Sequence, residues 1–348
     1  MEFSRRIGLV AVATAALALG LSACGAAAPE AANTSASSVE AAFPVSIEHI
    51  YGTTEITKKP ERIATISWVN ADAVLALGVV PVGMDADSYG NNAKNSTDWK
   101  DAKLTELGAE IGSEKAPVQY SAADGVNFTA IAEVQPDLIV AGYSGLTKDE
   151  YDKLSKIAPV IGPLAANYTA SWQTVTSAVG KALGKDAEAK SLVTELEGKV
   201  AAAAEANPVF KETTFIAGDL NPTTNVISIY ATGDNRPRFL SALGMTQAKV
   251  VDDNAKDGEF YLEWSAERAN ELDSDVFFTA VAPGSADTVI TDNKLFAQIP
   301  AVTKGGLVTL NNDMDVLAIS ATSPLSIQWT IDKLVPKLAA GAKAATGK

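Results

Sequence analysis

The chain has 348 residues, 47% hydrophobic and 20% charged, enough for two domains of ordinary size with a substantial core. Its formal net charge of -14 excludes a phosphate-binding basic face for nucleic acid and adsorption to an anionic membrane through a basic patch. One Cys and one His exclude an internal disulfide framework and argue against a dedicated zinc, copper or nickel site.

The first residues carry a basic pair, Arg5-Arg6, then an apolar run from Ile7 to Leu21 that is short for a spanning helix and closes on small residues. Leu21-Ser22-Ala23-Cys24 has the form of a lipobox, the cleavage and lipidation signal of bacterial lipoproteins. That resemblance implies a signal peptide over 1–23, cut before Cys24, whose sulfur takes a lipid anchor. Residues 24–42 are rich in Ala, Ser and Pro without periodicity and read as a flexible tether.

From there strands alternate with helices, which predicts α/β layers with largely parallel sheets. Strands are expected at 62–67, 79–84 and 136–141, and helices at 70–77, 128–134 and 147–157. A weak echo follows. Val226-Ile-Ser-Ile-Tyr230, running to Ser241-Ala-Leu-Gly244, resembles Thr65-Ile-Ser-Trp68 running to Leu75-Ala-Leu-Gly78, and Asp273-Ser-Asp-Val-Phe-Phe278 resembles Gln135-Pro-Asp-Leu-Ile-Val140. The architecture expected is two Rossmann-like lobes, at 43–184 and 208–348, the second closed by a C-terminal helix. Between them lies 185–207, where Ala189, Leu192, Val193, Leu196, Val200 and Ala203 share one helical face. One long helix joining two lobes makes a stiff clamp. The first lobe carries extra length near 85–125, with Tyr89, Trp99 and Tyr120, a candidate binding loop.

In open α/β sheets ligands sit off the carboxyl ends of the strands. Trp68, Tyr143 and Tyr230 fall at such ends and can line a cleft. Asn235-Arg-Pro-Arg238 holds Arg236 and Arg238, two of only six Arg in the chain, and guanidinium forks recognise delocalised anions. Trp264 and Trp172 open predicted helices and are weaker candidates. Trp329 reads as core, and His49 as a satisfied surface residue. The single His and the lack of a Gly-x-Ser-x-Gly elbow leave a hydrolase without its machinery, so no catalytic residues are assigned.

Taken in order, Lys59-Pro-Glu-Arg-Ile63, Ala71-Asp-Ala-Val-Leu-Ala-Leu-Gly-Val-Val-Pro-Val-Gly83, Gln135-Pro-Asp-Leu-Ile-Val-Ala-Gly142, Leu146-Thr-Lys-Asp-Glu-Tyr-Asp-Lys-Leu-Ser155 and Ser323-Pro-Leu-Ser326 resemble the substrate-binding proteins of siderophore, haem and cobalamin ABC importers. The resemblance runs from about Phe43 to Ala340 and is nearest to the iron-siderophore branch. It implies helical-backbone architecture, capture of an iron-loaded siderophore that carries its own metal, and no cofactor. Trp68, Tyr89, Tyr143, Tyr230, Arg236, Arg238 and Trp264 are then the candidate ligand contacts. It also implies a monomer on the outer face of the cell membrane, favouring a Gram-positive cell, which delivers to a permease dimer and its ATPase. In the resembled family an acidic side chain on each lobe docks the permease. Those positions match Glu267 in Ser265-Ala-Glu-Arg-Ala269 and either Asp149 or Glu150. Haem or cobalamin binding, and direct ferric-ion binding, are the alternatives.

Overall fold

The computed structural model describes residues 43–256 and 259–347, so Cys24, the segment 1–23 and the tether 24–42 lie outside the described residues. The chain opens with an antiparallel hairpin, β1 (Val45–His49) and β2 (Gly52–Ile56). Val45, Ile47, Thr54 and Ile56 point inward, while Ser46, Glu48, Thr53 and Glu55 face water, as a half-buried ribbon requires. His49 lies in this hairpin with Nε2 3.0 Å from the Thr54 hydroxyl.

The first lobe is a five-stranded parallel sheet in the order β5-β4-β3-β6-β7, built from β3 (Ile63–Thr65), β4 (Gly83–Asp85), β5 (Val118–Tyr120), β6 (Leu138–Val140) and β7 (Val160–Ile161). β3 and β6 are buried at every residue, because helices cover both faces. The helices Asn70–Ala76, Phe128–Glu133 and Lys148–Leu154 stand where the sequence places them.

The second lobe carries β8 (Thr214–Asn221), β9 (Val226–Tyr230), β10 (Thr246–Gln247), β11 (Tyr261–Ser265), β12 (Val276–Ala280) and β13 (Leu307–Leu310). Its main path is β11-β9-β8-β12-β13, with β10 beside β8. The parallel part is β10-β8-β12-β13, and β9 and β11 run antiparallel as an added hairpin layer. This corrects the internal echo. The strand that corresponds to β3 is β8, and β9 is its hairpin return. Trp264 also lies on β11 and opens no helix.

The 20-residue helix Asp186–Glu205 joins the lobes and spans roughly 30 Å. It crosses the helix Trp172–Ala182 so closely that a Cβ on Gly180 would come within 2.3 Å of the Ala189 Cβ. Leu196 and Val200 then enter the core of the second lobe.

The lobes also meet directly. The carboxylate of Asp72, fully buried in the first lobe, accepts from Ser323 Oγ at 2.5 Å, just before the last helix (Ser326–Thr346), and from Trp99 Nε1 at 2.9 Å. Tyr143 donates its hydroxyl proton to the Ser320 carbonyl at 3.2 Å and accepts from Asn235 Nδ2 at 3.1 Å. Gly90, at φ +62°, lets the loop 86–97 of the first lobe lie on the helix Asp313–Ser320, since a Cβ there would sit 2.8 Å from the Asp313 carbonyl oxygen.

One buried cation serves several carboxylates. Lys100 Nζ lies 2.5 Å from Asp87 Oδ2 and 4.0 Å from Asp72 Oδ1, and Asp85 is close by. Burial outweighs Lys100 and pushes the carboxyls of Asp72 and Asp85 up to about 6 from an ordinary 3.8. An acid whose folded pKa is raised is more easily protonated in the native state, so its ionised form costs stability above the folded pKa. Stability should therefore rise as pH falls from about 6 towards 3.8. We expect thermal unfolding to give a higher Tm at pH 5 than at pH 7.5, and Asp85→Asn to flatten that dependence. A Tm that falls steadily from pH 7.5 to 5 in the parent chain would contradict it.

Candidate ligand-binding cleft

β3 ends at Thr65, and the chain then turns through Ser67 at φ +64°, a left-handed conformation that costs a residue with a side chain about 1 kcal/mol. The turn is held by the Ser67 N–H donating to Asp85 Oδ2 at 2.6 Å and by Lys100 Nζ donating to the Trp68 carbonyl at 3.3 Å. Trp68 is thereby pushed out of the sheet and is 42% exposed. Its indole stacks on Tyr168, centroids 5.8 Å apart and planes 19° apart, and Tyr168 meets the edge of Tyr143 at 5.5 Å. Tyr168 is itself presented by two left-handed residues in succession, Asn167 and Tyr168.

From the first lobe, the loop 86–97 also brings Tyr89, 40% exposed, against Asp313 of the second. Burial, and then the Asp313 carboxylate, push the Tyr89 hydroxyl up to about 12. From the second lobe come Tyr230 and Arg236. β9 runs antiparallel, so Tyr230 arrives on the return arm of a hairpin and not at the carboxyl end of a parallel strand. The Arg236 guanidinium lies over the Tyr230 ring at 4.0 Å from its centroid and pairs with Asp234 Oδ2 at 2.7 Å. Asp234 is 1% exposed at its side chain and also caps the helix Asn235–Ala242 by accepting from the Arg236 N–H. Phe260 meets the Tyr230 ring edge-on at 6.2 Å.

Of the sequence candidates, Trp68, Tyr89, Tyr230 and Arg236 converge on the space between the lobes. A cavity of about 270 Å³ beside Trp68 is lined by first-lobe residues, and one of about 440 Å³ beside Tyr89 is lined by Tyr89 and residues of the second lobe; Tyr230 and Arg236 lie between them and line neither. Three candidates do other work. Tyr143 is 3% exposed and ties the lobes together. Arg238 donates from Nη1 to the Thr169 carbonyl at 2.6 Å, fastening helix Asn235–Ala242 to the first lobe. It also borders a separate cavity of about 630 Å³ under Trp172 and Val200. Trp264 is packed beneath the second sheet with Ile216 and Ile227, its indole N–H on the Arg268 carbonyl. Of the three aromatic residues in the extra length of the first lobe, Tyr89 reaches the cleft. Trp99 and Tyr120 are buried, the latter donating to the Thr65 carbonyl. Trp329 is half-buried against Trp99, with its N–H on Asp315.

Sequence reasoning missed Tyr168, Phe260, Asp234 and the Lys100 cluster. Asn167 before Tyr168, a residue that tolerates left-handed backbone, was the one local signal for the first.

Of the acidic candidates for docking, Glu150 closes a capping box, accepting from the Thr147 N–H at 2.8 Å and hydroxyl at 2.7 Å. Asp149 is exposed, and so is Glu267 at the start of the short helix Ala266–Glu271; neither forms a hydrogen bond or ion pair among the described residues. Among the described residues no three His, Cys, Asp or Glu side chains gather to hold a metal ion.

Two α/β lobes, a single long joining helix and an aromatic cleft between them define a class of extracytoplasmic solute-binding protein. The chain belongs to the periplasmic binding protein family, whose sequence model matches residues 63–314. It is similar to PiaA of Streptococcus pneumoniae TIGR4, an iron uptake ABC transporter substrate-binding protein solved in complex with ferrichrome. Identity is 33% and the TM-score 0.78, over 86% of this chain and 99% of that one. It is 28% identical to YfiY of Bacillus subtilis (strain 168), "Probable siderophore-binding lipoprotein", over 74% of each chain. It is 25% identical to the Fe(3+)-citrate-binding protein YfmC of the same organism, over 75% of this chain and 76% of that one.

The Tyr143 hydroxyl is buried and bonded on both sides, so Tyr143→Phe should leave Asn235 Nδ2 and the Ser320 carbonyl one partner short. A loss of about 1–3 kcal/mol is expected, lowering Tm by several degrees in calorimetry. The exposed Trp68→Ala should cost much less. Equal melting temperatures for Tyr143→Phe and the parent would show that this interlobe tie does not hold the fold.

Proposed function

We propose that this chain captures a ferric siderophore outside the cell and hands it to an ABC importer for iron uptake. The observation that carries the reading is the wall formed by Trp68, Tyr168, Tyr89, Tyr230 and Arg236 at the lobe junction. Exposed aromatic faces fit the apolar arms and flat chelating groups of a siderophore. The Arg236 N–H groups not used by Asp234 can donate to metal-bound oxygens. Iron arrives already chelated, so the protein has to recognise a complex and not coordinate the ion. The ferrichrome complex of PiaA and the citrate and siderophore names of the Bacillus subtilis relatives support this class of ligand. A binding role of this kind involves no catalysis and no resident cofactor.

Titration with ferric siderophores, followed by tryptophan fluorescence, tests the reading. Saturable quenching is expected. Trp68→Ala should remove most of the signal and weaken binding about tenfold, about 1.4 kcal/mol. A full quench in Trp68→Ala would take Trp68 out of the site, and no quench with any ferric siderophore would sink the function.

Delivery places further demands on the surface. With residues 1–23 removed, Cys24 would hold the protein to the membrane by lipid and 24–42 would serve as the tether, leaving a monomeric body free to turn toward its permease. The lipoprotein name of YfiY supports the anchor. Permease docking falls to Asp149 and Glu267, one exposed carboxylate on each lobe. Glu150 is committed to its helix cap, so it is the less suitable of the neighbouring pair. Charges on both lobes fix orientation and speed encounter. In cells, uptake of siderophore-bound iron should fall strongly in the double variant Asp149→Lys, Glu267→Lys while the purified variant binds as before. Cys24→Ala should instead lose uptake because the protein no longer fractionates with membranes. Normal uptake by the double variant would remove the docking pair, and a membrane-bound, processed Cys24→Ala protein would remove the anchor.

A further inference from the structure

The cleft holds an arginine, yet its charge is already answered. Arg236 sits 2.7 Å from Asp234, whose side chain is 1% exposed, so the two form a fixed and nearly neutral pair. Asp219 lies within electrostatic reach of the same guanidinium, and Asp313 faces it across Tyr89. Both carboxylates line the cavity beside Tyr89. Arg238 is turned to a backbone carbonyl of the first lobe. On the lobe-one side, Asp85, Asp87 and Glu150 line the cavity beside Trp68, with Lys100 buried beneath them and paired to Asp87. Carboxylates therefore outnumber cations on both walls, within a chain of net charge -14.

Resting on the reading of this cleft as a ferric-siderophore site, we infer that it selects iron complexes of zero or positive charge, the ferric trihydroxamates, and discriminates against anionic citrate and catecholate complexes. Three hydroxamates, each singly negative, cancel the charge of ferric iron, and an appended ammonium makes the complex a cation. Three catecholates, each doubly negative, leave a trianion, and citrate carries carboxylates beyond those that iron neutralises. A neutral complex can take hydrogen bonds from the Arg236–Asp234 pair and stack on Trp68 and Tyr230 without meeting uncompensated charge. An anion must lose its water beside Asp219, Asp313 and Asp85, where the partly excluded solvent screens repulsion poorly. Asp234 is a specificity-determining residue in this scheme, because it cancels the Arg236 charge that would otherwise attract an anionic complex.

Fluorescence titrations with ferrichrome (neutral), ferrioxamine B (cationic), ferric dicitrate and ferric enterobactin (both anionic) test it. Both hydroxamate complexes should bind at least about tenfold more tightly than either anion at moderate salt. Asp219→Asn, Asp313→Asn should narrow the ratio between ferric dicitrate and ferrichrome by about tenfold. An anionic complex binding as tightly as the hydroxamates, or an unchanged ratio in the double variant, overturns the charge rule while leaving the siderophore reading intact. Failure of all four to bind removes both.

Discussion

The carboxylate of Asp72 is the point on which the two halves of the molecule depend. It is completely buried in the first lobe, yet one of its oxygens takes the Ser323 hydroxyl from the second and the Trp99 indole from the first. Ser323 stands just ahead of the last helix, and residues of that helix such as Leu334 and Leu338 fill the second core. A shift of one lobe against the other would therefore strand a buried charge, which costs several kcal/mol. Tyr143 with Asn235, and Arg238 with Thr169, repeat the arrangement with neutral or carbonyl partners nearer the cleft. The long helix sets the distance between the lobes, and these buried bonds set their angle.

Among the described residues the other oxygen of Asp72 has no hydrogen-bond partner, and its nearest ion-pair partner is Lys100 at 4.0 Å. Buried carboxylates that outnumber their cation are a poor way to stabilise a fold, and well-packed apolar residues in their place are often neutral or better. What the cluster does supply is position. Lys100 holds the Trp68 carbonyl and Asp85 holds the Ser67 N–H, so the left-handed turn that presents Trp68 is fixed from beneath by two charge-assisted bonds. Stability is given up where it fixes the geometry of an exposed ring.

The sequence made the layered α/β plan and the joining helix legible because both rest on periodicity, and periodicity survives without coordinates. Ala189, Leu196 and Val200 share a face in the sequence and are buried in the molecule for the same reason. Strand direction left no such trace. β9 has the composition of a buried strand, and nothing in Val226–Tyr230 says that it turns back on β8, so Tyr230 reached the candidate site through a mistaken equivalence. Trp264 and Tyr143 show the opposite limit. An aromatic at a strand end looks alike whether it faces a cleft or seals a core, because only its neighbours in space decide. Tyr168 lies in a stretch with no periodic pattern, so its place in the aromatic wall could be seen only once Trp68 was seen to stack on it.

Ser67, Asn167 and Tyr168 all hold left-handed backbone without being glycine, and all three shape the aromatic wall. Each costs energy that a glycine would spare, and such departures from local preference persist only where surrounding structure enforces them. Here the enforcement is visible: Asp85 and Lys100 under the first turn, and the Tyr143 edge against the second. The gain falls on binding. A stacked and supported pair of rings loses little rotamer freedom when a ligand arrives, whereas a mobile side chain surrenders about 0.5–1.5 kcal/mol on being fixed. Tyr89 completes the logic from the other side, because the loop that carries it can lie on the second lobe only where Gly90 leaves room for the Asp313 carbonyl. The aromatic surface is thus assembled before any ligand enters, from strain in one lobe and close packing between two.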